Sequence, residues 1–275
     1  MKPKPMPVVI VSSLTPKGSD LALEAIEAGA LEVVSKPSAA YSVGDMGVVL
    51  AEKVRGAAKA NMSKKRELAV EKPVPEKIAS TALSETTNKL IAVGASTGGT
   101  EAIRRVLEPL PANSPGILVV QHMPAQFTKS FAERLDTLCK IRVKEAEDGD
   151  TITNGLALVA PGNYHMILDR SGARYFVRIR QGPRVHHQRP AVDVLFKSTA
   201  RHAGANAVGI ILTGMGADGA EGLAAMKSAG AVTIAQDENS CVVFGMPMEA
   251  VKQNAVHHVA DIDAIAELAL SKFTR

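Results

Sequence analysis

Tryptophan is absent from the 275 residues, and aromatic side chains make up only 3% of them. So few aromatic rings cannot build the stacking surfaces that read single-stranded nucleic acid, and the core has to be aliphatic. Cysteine is nearly absent as well. Cys139 and Cys241 stand far apart, with neither the pairing of a disulfide framework nor the spacing of a zinc site. A reduced, cytoplasmic setting is therefore expected. No long apolar run occurs: "VVIV" and "GILVV" are of strand length, and no basic, apolar, small-residue leader opens the chain. Neither membrane insertion nor a signal peptide is expected. The net charge of +4 is spread too widely to mark a nucleic-acid surface.

What remains is an ordinary globular composition, 46% hydrophobic and 22% charged, at a length that suits one large domain or two modest ones. The first segment reads as a strand (8–11), the loop "SSLTPKGSD", a helix (21–28) and a second strand (31–34), with a further helix over about 43–60. Residues 62–88 then lose periodicity and gather charge, Pro, Ser and Thr, which reads as a linker. From Lys89 onward, β-rich runs alternate with amphipathic stretches: "LIAVGA", "GILVVQHM", "VGIILTGM" and "AVTIAQ". The pattern predicts an α/β fold with a doubly wound, mostly parallel sheet. Between Gly155 and Ile179 the period becomes two around "DRSG", predicting an antiparallel hairpin attached at one margin of that sheet. "DIDAIAELALSKF" closes the chain as a helix capped by Asp261 or Asp263.

The stretch "LIAVGASTGGTEAI" places Ser96 where a buried strand turns into a helix. Gly94, Gly98 and Gly99 permit a tight turn, and the free N–H groups of a helix N-terminus favour negative charge developing there. "GASTG" satisfies the G-x-S-x-G pattern of a nucleophile elbow, but on this motif alone a phosphate cradle or simple close packing explains it equally. Position decides further. "GILVV" runs into His122, and "VGIILTGMGADG" carries Asp218 just beyond another strand. Parallel crossovers bring all three ends to one sheet edge, as nucleophile, base and orienting carboxylate in the chain order Ser, His, Asp. An N-cap role for Asp218 ahead of "AEGLAAMK" is compatible with this. The order differs from that of α/β-hydrolases, and Gln121 and His122 stand where a dinucleotide site needs an acid. "RIRQGPRVHHQRP" gathers Arg178, Arg180, Arg184, His186, His187 and Arg189, either as solvated loop charge or as a rim for an acidic protein surface. The histidine pairs 186–187 and 257–258 lack a third spaced metal ligand.

From Lys89 to the C-terminus the sequence resembles the CheB family, chemotaxis protein-glutamate methylesterases and glutamine deamidases. The resemblance rests on "IAVGASTGGTEAI", "QHMPAQFTKSFAERL", "APGNYHM", "RPAVDVLF", "ILTGMGADGAEGLAAM" and "CVVFGMPMEA". It implies a CheB-type methylesterase domain over 89–275, with Ser96 as nucleophile, His122 as base and Asp218 as orienting carboxylate. It also implies a backbone N–H of Met215 in the oxyanion hole, Thr97 lining the site, no cofactor, and methyl-accepting chemotaxis receptors as partners. Within "VHHQRPAVD" the family more often carries Asn at the place of His186 and Ser at that of Ala191.

Residues 1–61 resemble the second half of a flavodoxin-like receiver domain, with Ser12 and Lys36 matching its switch hydroxyl and conserved lysine. In that family the phosphoacceptor strands precede this segment. The expectation is a receiver fragment without phosphorylation control, whose interaction with the chemotaxis kinase is doubtful, and which either packs loosely or shields the site. Two other classes remain open on sequence: a non-catalytic signalling adaptor, and a phosphate- or nucleotide-binding domain built on the "GASTGG" turn.

Overall fold

The computed structural model describes residues 6–12, 16–36, 43–69 and 89–273. The first of these form β1 (Val9–Ser12), α1 (Pro16–Glu27), β2 (Glu32–Ser35), α2 (Val43–Lys59) and α3 (Met62–Ala69). β1 and β2 pair in parallel, with Ser12 opposite Ser35. Residues 62–69, expected to be linker, are thus helical. "MSKKRELA" consists mainly of good helix formers, and a Lys64–Glu67 ion pair at 2.8 Å spans one turn of it. The rest of the expected linker, 70–88, lies outside the described residues.

The remaining chain alternates β3 (Leu90–Ala95), α4 (Gly99–Leu107), β4 (Gly116–Gln121), α5 (Phe127–Leu138), β5 (Arg142–Glu145) and β6 (Leu156–Val159). The pair β7 (His165–Ser171) and β8 (Arg174–Arg180) comes next, then α6 (Val192–His202), β9 (Ala207–Ile211) and α7 (Ala220–Ser228). The end comprises β10 (Val232–Gln236), α8 (Met246–Lys252), β11 (His258–Ala260) and α9 (Ile262–Ser271). Seven strands make one wholly parallel sheet in the order β11-β10-β9-β3-β4-β6-β5. β3 sits at its centre and has no exposed residue, which explains the unbroken apolar run.

Because side chains alternate across a strand, each central strand feeds two cores. Ile91, Val93, Ile117 and Val119 pack with α4, α5 and α9 through Ile103, Phe127, Leu135 and Ile265. Leu90, Ala92, Leu118 and Val120 face the other way, toward Leu195 and Phe196 of α6 and Leu223 of α7. The same second core takes Leu168, Tyr175 and Val177 from the β7–β8 hairpin. The hairpin is antiparallel as expected, but its attachment differs. It is a separate two-stranded sheet, and β6, read as part of it, instead pairs in parallel with β4. A period of two marks a strand with one buried face, but it does not tell a sheet margin from a ribbon packed on a helix.

At Gly94 the central strand and α6 come into close contact. A Cβ there would lie 2.2 Å from Val192 Cγ1, at the first residue of α6. Any side chain at 94 pushes that helix start off β3. Gly94→Ala is expected to destabilise the protein by about 1–3 kcal/mol, the usual cost of overpacking a filled core. A urea midpoint equal to that of wild type would contradict so tight an approach.

Candidate active site

β9, β3 and β4 are neighbours, and the residues just beyond their carboxyl ends meet at one edge of the sheet. Ser96 comes directly after β3, His122 directly after β4, and Asp218 lies in the turn after β9. All three are buried, at 3%, 4% and 2% exposure. The Ser96 turn is pinned from several sides: Ser96 N–H donates to Thr213 O at 3.0 Å, and Ser96 O accepts from Gly99 N–H and the Gln121 side-chain amide at 2.7 and 2.9 Å. Gly98, at φ +78°, makes the left-handed step into α4 that a side chain would oppose. Sequence alone did not single out Gln121 for this role. Its signal was a buried amide at the very end of a strand.

His122 Nε2 lies 2.7 Å from Asp218 Oδ2. With Nε2–H donating to the carboxylate, the lone pair at Nδ1 is the basic one, and Nδ1 is buried without a hydrogen-bond partner. Asp218 was compatible with capping α7, and here the structure differs. The N-cap of α7 is Gly219, and Asp218 instead accepts the N–H groups of Val192 and Asp193, at 2.7 and 2.9 Å, at the start of α6. Burial alone pushes the Asp218 carboxyl up. The hydrogen bond and charge of His122, with the two α6 N–H groups, outweigh that and hold it below the ordinary 3.8.

A carboxyl held below 3.8 stabilises the fold fully above that pH, and the contribution is lost as pH falls through the lowered value. Asp193, raised chiefly by burial, has the opposite sign. Asp218→Asn is accordingly expected to flatten the loss of stability below about pH 4. Urea midpoints at neutral and acidic pH check this, and equal acid sensitivity in both proteins would contradict it.

The site is closed in this structure. Among the described residues, the Ser96 hydroxyl oxygen accepts a hydrogen bond from Lys53 Nζ of α2 at 3.2 Å, and the same ammonium pairs with Glu32 of β2 at 3.0 Å. Glu52 holds Gln188 at 2.9 Å, and Asn61 N–H donates to Val242 O at 2.8 Å. Gly56 faces Thr97 Oγ1 and the Met215 side chain, so α2 passes over both residues expected to line the site. Thr97 Oγ1 is buried without a partner. The space left beside His122, Lys53, Arg184 and Gln188 is about 30 Å³, one water's worth. Ser12 and Lys36 lie at the ends of β1 and β2, where Lys36 N–H donates to Ser12 O at 2.7 Å.

His186, Asp193 and Asp218 bring possible ligand atoms within 4.8 Å of one another. Each carboxylate oxygen there accepts a hydrogen bond, from His122, His186 or the N–H groups of Val192, Asp193 and Gly222. No described helix is long and apolar enough to cross a membrane.

The model of the CheB methylesterase family matches residues 91–269. A protein-glutamate methylesterase/protein-glutamine glutaminase of Syntrophus aciditrophicus is 61% identical over 97% of this chain and 78% of its own length. The Salmonella typhimurium protein of the same description is 54% identical over the whole chain and 78% of its own length. The crystal structure of the Thermotoga maritima CheB methylesterase catalytic domain superposes with a TM-score of 0.66 at 37% identity, covering 67% of this chain and 98% of that one. The match of the family model over residues 91–269, with relatives 61% and 54% identical along 97% and all of the chain, places this chain in the CheB methylesterase family.

Proposed function

We propose that this protein removes methyl groups from glutamate γ-methyl esters on chemoreceptors, and deamidates glutamines there, with Ser96 as nucleophile. The observation that carries the residue roles is the 2.7 Å bond between His122 Nε2 and Asp218, which leaves Nδ1 as the base at the sheet edge that also carries Ser96. The relatives' names support the substrate.

In this reading Nδ1 takes the Ser96 proton as Oγ attacks the γ-carbonyl carbon. The oxyanion forms near the start of α4, and the Met215 N–H is proposed to help hold it. Collapse expels methoxide, which leaves as methanol with the proton from His122; in the glutamine reaction ammonia leaves instead. Water, deprotonated at the same nitrogen, then attacks the acyl-enzyme and returns Ser96 and a glutamate carboxylate. Asp218 stays ionised throughout and stabilises the imidazolium.

A fluorophosphonate, which traps activated serines, tests the assignment. The expected result is a single covalent adduct on the peptide containing Ser96, lost in His122→Ala. An adduct on another serine would overturn it.

A further inference from the structure

Behind the His122–Asp218 pair stands a second imidazole–carboxylate pair that the proposed reaction does not use. His186 Nε2 lies 3.0 Å from Asp193 Oδ2, and Asp193 Oδ1 accepts the N–H of Gly222 in α7 at 2.7 Å. Asp193 is 1% exposed, whereas His186 reaches solvent. The two pairs are joined through α6, because Asp193 presents its own N–H to Asp218 at 2.9 Å while its carboxylate faces His186.

The local backbone is bent to place that imidazole. Val185 and Gln188 exchange hydrogen bonds of 3.1 and 2.8 Å, closing a two-residue turn with His186 and His187 at its tip. Both tip residues have positive φ, +49° and +60°. Such turns are built most easily from Asn and Gly, and a histidine there is strained. Strain of this kind persists where the surroundings hold it, and at His186 the holding contact is Asp193.

We infer that Asp193 and His186 are positioning residues for the catalytic carboxylate. Asp193 fixes the start of α6, whose N–H groups hold Asp218, and His186 balances the second buried negative charge beside the triad. This rests on the proposed triad. The charged groups facing His186 are Asp193 and, with it, Lys197 from α6, Asp218 from the turn before α7, and Glu221 from α7; Arg184 and His187 flank it in sequence. Protonated His186 weakens the negative field that Asp193 and Asp218 exert on His122. Removing its charge strengthens that field, and removing the charge of Asp193 weakens it.

The test uses the full chain with His186→Asn and Asp193→Asn, and two readouts. Asn tolerates positive φ and can still donate to Asp193, so His186→Asn keeps the fold. In ¹⁵N NMR the expected result is opposite displacement of the His122 pH response, up in H186N and down in D193N, each by about half a pH unit for a partly screened charge. The acid limb of kcat/KM for ester hydrolysis is expected to move the same way, with KM unchanged. A purely structural role gives shifts of one sign or none, and an unmoved His122 response in both variants would overturn the proposal. The NMR readout needs no turnover, so absence of Ser96-dependent hydrolysis would count against the proposed reaction and leave this result standing.

Discussion

Ser96→Ala is expected to lower ester hydrolysis on the order of 10⁴-fold or more, and His122→Ala by a similar factor. The double variant is expected to be no worse than either single one. The reason is geometric. Ser96 sits at a helix start pinned by Thr213, Gly99 and Gln121, and His122 has one nitrogen committed to Asp218, so neither group has an independent task in the reaction. Removing the base strands an alcohol of ordinary reactivity; removing the alcohol strands a base with nothing to activate. Rate constants measured under saturating substrate for the three variants check this. Losses that multiply in the double variant would mean that the two residues act separately and that the nucleophile lies elsewhere.

Lys53→Met is expected to raise turnover on the order of tenfold, and the fragment 89–275 is expected to exceed it. In the closed arrangement the Lys53 ammonium occupies the hydroxyl that His122 must reach, and both it and Glu32 are buried, at 4% exposure each. Removing one partner of a buried pair leaves the other uncompensated, a change worth about 3–5 kcal/mol against the arrangement that buries it. That is enough to shift a closed population open, and the gain in rate is limited only by how much of the protein was closed before. Met preserves an unbranched apolar stem, so a rise in rate reports charge and not a collapsed helix. The fragment is a fair comparison, because the Thermotoga maritima catalytic domain, which covers 67% of this chain, has been crystallised as such. Initial rates of the three proteins on one substrate decide the matter. Equal rates would mean that α2 leaves the site during turnover without cost.

The parallel sheet and the delivery of Ser96, His122 and Asp218 to one of its edges were legible in the sequence, because buried parallel strands read as plain apolar runs and their carboxyl ends share one edge. The residue just past each strand is then placed by topology alone. Other features depend on three-dimensional packing that periodicity does not carry. Asp218 serves α6 and not α7, because Gly94 lets Val192 approach β3 and bring its N–H within reach. The β7–β8 ribbon packs through α6 with no hydrogen-bonded pairing to the sheet, a distinction between two ways of burying the same face. Helix α3 carries too few apolar residues to announce itself, and its one buried cation, Lys65, looks like any other lysine in sequence. Lys53 was equally silent: a lysine on an amphipathic helix reads as solvated until its neighbours, Glu32 and Ser96, are seen. The role of Nδ1 also needed the structure, since only the Asp218 contact tells the two ring nitrogens apart.

The most direct measurement is methanol release from methylated chemoreceptor membranes by the wild-type chain and by Ser96→Ala at equal concentration. The expected result is methanol from wild type, in step with new glutamate carboxylates on the receptor, and none above background from the variant. Methanol released equally by both would contradict Ser96 as the nucleophile, and with it the central claim that this edge of the sheet is an esterase site.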